Sequence, residues 1–149
     1  MKRRAFLAVV AASSVSVYPQ SPRFQPVQDI RPLLEKLTGG ATPAQGGIDI
    51  ELPQIAENGN SVPMRVRVAS PMTPQDHVSA LHIIAERNPR PLVATFHLGP
   101  QSGRADISTR VRLAGTQRVT VLAQLSGNRF KMAQVEVLVT AAACLDESL

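Results

Sequence analysis

The sequence contains few of the side chains on which most enzymes and nucleic-acid-binding proteins depend. It has 1 cysteine, 1 tyrosine and no tryptophan, and aromatic residues make up 3% of its 149 positions. Stacking platforms for nucleic-acid bases are therefore missing. No phosphate-binding glycine loop, nucleophile elbow or paired-carboxylate motif occurs along the chain. These absences predict no nucleic-acid partner, no catalytic residue and no cofactor.

The basic charge is concentrated at the start of the chain. Lys2, Arg3 and Arg4 precede an apolar run from Ala5 to Val17, which is too short to span a bilayer. This build is typical of an export signal, and the arginine pair matches the twin-arginine type. Residues 1–22 are therefore predicted to be the signal of a periplasmic protein that keeps no membrane span after signal removal. Without these three cations, 13 of the 16 basic residues remain against 11 acidic ones.

Residues 23–47 are predicted to form a short helix and a linker. Apolar residues recur there at steps of three and four positions and stop at Gly39, and they are Val27, Ile30, Leu33, Leu34 and Leu37. This amphipathic stripe predicts that the helix covers one end of the domain. Glycine, proline and alanine dominate the linker that follows.

After the linker the apolar period changes to two, which is typical of half-buried strands. Turn residues such as Asn58-Gly59-Asn60 and Asn88-Pro89 separate the alternating segments. The seven predicted strands are Ile48–Leu52, Val62–Val68, Val78–Glu86, Leu92–Leu98, Ala105–Leu113, Arg118–Leu125 and Arg129–Thr140. Their number and spacing predict an all-β fold, an immunoglobulin-like antiparallel β-sandwich over residues 48–140.

The only cysteine, Cys144, falls in the final segment, residues 141–149. This segment has too little apolar bulk to form another strand, so it is predicted to be a flexible C-terminal arm. Extended from Thr140, the arm would carry the thiol at most roughly 13 to 14 Å. In an oxidising compartment a single cysteine indicates an intermolecular partner or a reactive group.

Three histidines, His77, His82 and His97, are the only candidates for metal or acid–base chemistry. His82 and His97 lie symmetrically about the Asn88–Pro91 turn, which predicts that they face each other across a hairpin. No third or fourth ligand is evident, so they are interpreted as a structural pair and no metal site is predicted.

Four arginines on the predicted strands form a possible basic edge. Arg110 and Arg112 lie on one strand, with Arg65 and Arg67 as possible neighbours on another. A partner-facing role and a solvated face both remain open.

Several blocks of the sequence resemble the SoxY sulfur carriers of thiosulfate oxidation. The similar blocks are Ile48–Pro63, Ser70–Thr73, His82–Pro89, Ala94–His97 and Ser108–Ala114. The resemblance implies an immunoglobulin-like subunit that pairs with a SoxZ-like β-sandwich subunit. It also implies that Cys144 is the covalent attachment point for sulfur substrates and presents them to sulfur-processing enzymes.

The arm departs from the glycine-flanked cysteine that is usual in that family. Cys144 lies among Ala142, Ala143, Leu145, Asp146 and Glu147. Alanine removes most of the backbone freedom of glycine, so a stiffer arm is expected. The neighbouring carboxylates disfavour the thiolate, so a pKa no lower than the ~8.5 of a free thiol is expected.

Two functions from different classes are consistent with the sequence. The first is a sulfur carrier that is not itself an enzyme. The alternative is an exported structural or chaperone-like β-sandwich that binds another subunit through a strand edge or a face, with Cys144 only linking chains.

Overall fold

The fold is known from a computed structural model that describes residues 25–143. The predicted helix is present as α1, Arg31–Thr38. It begins later than the apolar spacing indicates, with a proline in its first turn, where the missing N–H costs no intrahelical hydrogen bond. Gly39 ends the helix in a left-handed conformation, with φ 63°, and donates its N–H to Glu35 O.

Nine strands follow the helix within residues 25–143. They are β1 Ala44–Gln45, β2 Ile48–Glu51, β3 Ile55–Ala56, β4 Val62–Val68, β5 Val78–Ala85, β6 Leu92–His97, β7 Ala105–Val111, β8 Gln117–Leu125 and β9 Arg129–Val139. The seven longer strands match the predicted ones within a few residues. The two-residue strands β1 and β3 were not predicted, because two residues are too short to show a period.

The strands form two sheets. The larger has the order β1-β9-β8-β5-β6, with β3 also paired to β9, and the smaller has the order β2-β4-β7. The predicted all-β sandwich is confirmed. Both β1 and β3 run parallel to β9, whereas the seven long strands pair antiparallel. These short strands occupy the outer edge of β9, which would otherwise expose unpaired backbone groups.

The core lies between the sheets. In β4, Val62, Met64, Val66 and Val68 are buried, in alternation with residues that stay at least partly exposed. The larger sheet contributes a matching set of buried residues to the same core, which are Leu81, Ile83, Ala85, Val119, Val121, Ala123, Leu125 and Val137. The period of two in the sequence therefore places the apolar faces of both sheets against each other.

The two central strands of the larger sheet are buried on their outer face as well. His82 and Ile84 of β5 and Leu122 of β8 point away from the core by alternation, and all are buried. The segments that flank helix α1 border grooves beside the larger sheet, at Val27 before the helix and at Ala41 after it. The helix was predicted to cover one end of the domain. This placement stays a prediction.

Candidate functional site at the base of the arm

The structure describes the base of the predicted arm but not its thiol. Cys144, Leu145, Asp146 and Glu147 lie outside the described residues, which end at Ala143. The structure therefore shows how the residues before Cys144 are attached to the sandwich.

Backbone and hydroxyl hydrogen bonds continue past the end of β9. Val139 donates its N–H to Thr116 Oγ1 at 2.9 Å, and Thr140 donates its N–H to Ala56 O at 3.0 Å. The Thr140 hydroxyl also donates to Glu57 O at 3.2 Å. The chain beyond the last strand is therefore held along the β3 segment.

The next residues are held by the Asn58-Gly59-Asn60 turn and by the end of the β7 segment. Gly59 donates its N–H to Ala141 O at 2.7 Å, and Ala143 donates its N–H to Leu113 O at 3.0 Å. Leu113 donates its own N–H to Gly59 O at 2.8 Å, so the turn and the end of the β7 segment are also bonded to each other. Gly59 is buried, and Ala143 is only 7% exposed.

This anchoring changes the predicted arm. It was expected to leave the sandwich at Ala141, whereas Ala141 and Ala143 are bonded to it. The reach of roughly 13 to 14 Å expected from Thr140 is therefore not available to the thiol. Because Cys144 is bonded to Ala143, its Cα lies about 3.8 Å from an anchored Cα.

A buried asparagine holds the loop to which Ala143 is bonded. Asn88 donates from Nδ2 to Arg112 O at 2.8 Å, and its Oδ1 accepts from Ala114 N–H at 3.0 Å. The same oxygen accepts from Gln117 Nε2 at 3.2 Å. Sequence reasoning identified Asn88 only as a turn residue, because nothing in the sequence signals that its side chain spans to a distant loop.

The exposed face of the smaller sheet carries charges of both signs. Arg65 makes a bidentate pair with Asp106, with distances of 2.9 and 2.7 Å. Arg67 bonds to Asp49 at 2.7 Å and also to Glu51. The hydrogen bonds from Arg65 are the main cause of a lowered pKa for Asp106. Arg65 and Arg67 therefore belong to a mixed ionic face and not to a basic edge.

Arg110 lines the same groove as Arg65 on the smaller sheet, so these two arginines are neighbours as the sequence suggested. Arg110 and Arg112 line a groove between β6 and β7 together with Arg90. Arg110 donates from Nε to Ser61 Oγ at 2.7 Å. The structure therefore supports one part of the predicted basic edge. Arg90, Arg110 and Arg112 lie together beside the edge strands β6 and β7. Its partner-facing role stays a prediction.

The predicted pairing of His82 with His97 is wrong. His82 lies opposite Thr95, and His97 lies opposite Ala80. The hairpin is centred earlier than its turn residues suggest, because Ala85 donates its N–H to Pro91 O at 2.8 Å. The two histidines are therefore diagonal neighbours, and His82 Nδ1 lies 3.0 Å from Thr95 Oγ1.

A family model provides the decisive comparison for this chain. The model described as "Sulfur oxidation protein SoxY" matches residues 34–144. The chain belongs to the SoxY family. The match spans the sandwich, the anchored residues and Cys144, so the resemblance in the sequence blocks is confirmed. Its family places the protein among the carriers of sulfur oxidation.

Solved structures agree with this assignment. The SoxY sulfur carrier protein from Chlorobium limicola f thiosulfatophilum is 29% identical, with a TM-score of 0.61 over 72% of this chain and 89% of that one. A superoxide reductase (neelaredoxin) from Ignicoccus hospitalis is 15% identical, with a TM-score of 0.57 over 63% and 80%. The reductase shares the fold alone. No curated protein matches the chain.

Two features of this SoxY-family chain concern metals and membranes. Within residues 25–143, no group of three or more His, Cys, Asp or Glu side chains is placed to hold a metal ion. Over the same residues, no helix is both long and apolar enough to cross a bilayer.

The purified protein is expected to bind no stoichiometric metal. The reason is that His82 already engages Thr95, and no further histidine lies opposite it. Elemental analysis of the isolated protein, with His97→Ala as the comparison, measures this. About one zinc or copper per chain, lost in His97→Ala, would contradict the structural interpretation of both histidines.

The free energy of unfolding is expected to depend on pH because His82 is buried in the folded protein. Burial, and secondarily the charge of His97, lower the pKa of His82 from 6.5. The unfolded chain therefore takes up this proton at a higher pH than the folded one. The free energy of unfolding should fall as the pH drops from 6.5 towards the folded-state pKa, with the full contribution present above 6.5.

Urea unfolding of wild type and His82→Gln at pH 8 and pH 5 measures this difference. The variant should lose less stability than wild type between the two pH values. Equal losses would show that protonation of His82 is not coupled to folding.

Proposed function

We propose that this SoxY-family chain is a periplasmic carrier that binds sulfur intermediates covalently on Cys144 and presents them to partner enzymes. The observation that carries the proposal is that the family match extends to residue 144 and so includes the only cysteine. The chain carries the intermediate, and the enzymes that load and unload it perform the redox chemistry.

The chemistry at the thiol is disulfide-like exchange. The Cys144 thiolate attacks a sulfur of a donor that contains an S–S bond, a new S–S bond forms, and the donor's leaving group departs with the electron pair. With tetrathionate the products are an S-thiosulfonate on Cys144 and free thiosulfate, and no other oxidant is required. Coupling the thiol to thiosulfate itself removes two electrons, so it requires a partner enzyme that accepts them.

The residues around the thiol indicate the kind of cleft that receives it. Asp146 and Glu147 follow Cys144 closely, and Leu145 lies directly beside it. A receiving cleft should be basic, because arginine or lysine there offsets the carboxylates and lowers the thiol pKa on docking. Ala142 is exposed and can contact such a cleft, whereas Ala143 is buried against the sandwich.

A SoxZ-like β-sandwich subunit is the proposed permanent partner. Strands β6 and β7 are each paired on one side only within the described chain, so their outer edges can accept another strand. The twin-arginine pair at Arg3 and Arg4 is the proposed export signal, and its receptor exports proteins already folded, often together with their partners.

Intact-protein mass spectrometry tests the carrier proposal. Exposure to tetrathionate should add one thiosulfonate group per chain to Cys144, and a small thiol such as dithiothreitol should remove it. The protein isolated from its own cells should carry sulfur adducts at the same residue. A chain that resists tetrathionate and is recovered only as a fixed disulfide-linked dimer would instead support the structural alternative.

A further inference from the structure

We propose that Gly59 is a positioning residue that anchors Ala143, the residue before Cys144, at one end of the sandwich, so that a receiving enzyme must dock on that end. This inference rests on the proposed carrier function. It concerns how the thiol is presented, which neither the family match nor the cysteine by itself determines.

Gly59 lies where the turn, the β7 segment and the arm base meet. Its N–H bonds to Ala141 O and its C=O to Leu113 N–H, at 2.7 and 2.8 Å. Leu113 O in turn accepts from Ala143 N–H. Each of the three segments is thus bonded to the other two through backbone groups. Those of Gly59, Leu113 and Ala143 belong to buried residues, and hydrogen bonds of buried groups are costly to leave unmade.

The close approach requires glycine for steric reasons alone. A Cβ at position 59 would lie 2.4 Å from Leu113 O, 2.9 Å from Ala143 N and 3.0 Å from Ala141 O. All three contacts are with backbone atoms, which cannot rotate away. Gly59 has no left-handed φ, so Gly59→Ala introduces no backbone strain of its own. The substitution therefore acts through the packing of the junction between the turn, the Leu113 loop and the arm base.

The anchored geometry limits how an enzyme can reach the thiol. The Cys144 Cα lies about 3.8 Å from that of Ala143, which is itself bonded to the sandwich. An enzyme cannot accept this cysteine on a long tether. Its cleft must admit the thiol while its rim contacts the exposed surface around Asn58, Asn60 and Ala142. The anchored base lowers the conformational entropy lost on docking, because Ala141 and Ala143 are already ordered.

The test compares three variants with wild type. The first is Gly59→Ala. The second inserts two glycines between Ala143 and Cys144 and leaves every described contact in place. The control is Gly99→Ala, a glycine between β6 and β7 whose added Cβ would meet only the Gln101 side chain, which can rotate away. Its φ of −156° is extended, so this substitution adds no backbone strain. Each protein is loaded with tetrathionate and then presented to the native receiving enzyme.

All four proteins should load at equal rates, because loading by a small reagent needs only the thiol. Transfer to the enzyme should fall at least about tenfold in kcat/KM for Gly59→Ala and for the insertion, through a raised KM. The control should transfer like wild type. Amide hydrogen exchange at Ala143 should accelerate in Gly59→Ala and stay slow in the insertion variant.

Unchanged transfer by the insertion variant would overturn the proposal, even if Gly59→Ala fails to fold. Slow exchange at Ala143 in a folded Gly59→Ala protein would overturn the role of the glycine. Failure of wild type to load at all would be a separate result, since it contradicts the carrier function while hydrogen exchange still tests the anchor.

Discussion

Cys144→Ser is expected to abolish sulfur loading and transfer completely. The variant should still fold and should still bind its partner subunit. Serine keeps the size of the side chain but provides no thiolate, which is the attacking group in the exchange. The stability of the sandwich should not change, because the described core lies between the two sheets and does not include residue 144. Loading by tetrathionate, transfer to the receiving enzyme and the thermal midpoint measure the three expectations.

Ser148→Ala is a matched control for Cys144→Ser, because it alters the same segment and keeps the thiol. It should load and transfer like wild type. If Cys144→Ser lost its partner or its cooperative unfolding, the cysteine would be part of the structure. If it still accepted sulfur, covalent attachment would lie elsewhere and the proposed function would be wrong.

Asn88→Ala is expected to lower the free energy of unfolding by about 3 kcal/mol, on the order of a hundredfold in the unfolding equilibrium constant. The variant leaves the Arg112 C=O, the buried Ala114 N–H and the Gln117 amide without their asparagine partner. Leaving one such group unsatisfied costs about 1–3 kcal/mol. Urea unfolding at neutral pH, extrapolated to water, measures the loss.

Asn58→Ala is the control for this prediction. Asn58 is exposed, and its Oδ1 accepts from the Asn60 N–H within the same turn. Losing that bond should cost less than about 1 kcal/mol, because water replaces the missing partner. If both asparagines cost the same, the buried side chain would not be what holds the Arg112–Gln117 loop in place.

Asn88→Ala should also affect the arm base. Ala143 is bonded to Leu113, which lies between the two backbone groups that Asn88 holds. Hydrogen exchange at Ala143 should therefore accelerate in Asn88→Ala and not in Asn58→Ala. The residue that stabilises the sandwich and the residue that positions the thiol are linked through this one loop.

The long strands were predictable because their signal is local. Alternation in β2 and β4 places their apolar side chains on one face. The same alternation predicts the approximate ends of the other long strands. The helix end was equally readable, since Gly39 is a residue type that adopts the left-handed conformation easily. The short strands β1 and β3 were not, because their pairing depends on β9, a partner far along the chain.

The histidine error has a similar cause. Symmetry about a turn predicts register only if the turn residues lie at the centre of the loop, and here the bond from Ala85 to Pro91 shifts that centre. A register shift between Ile83 and Ile84 offsets only part of it, so His82 lies opposite Thr95. Register is a property of two strands together, so no single segment of sequence determines it.

The sequence by itself determined the β-rich class, the family and the one cysteine that can carry a covalent intermediate, since these depend on residue identity and short spacing. Only the tertiary structure decided that Ala141 and Ala143 are bonded to the sandwich through Gly59 and Leu113. The physical reason is distance along the chain. Gly59, Leu113 and Ala143 are brought within hydrogen-bonding range only when the sheets have formed, and a composition poor in apolar bulk cannot show that a segment is held by its backbone.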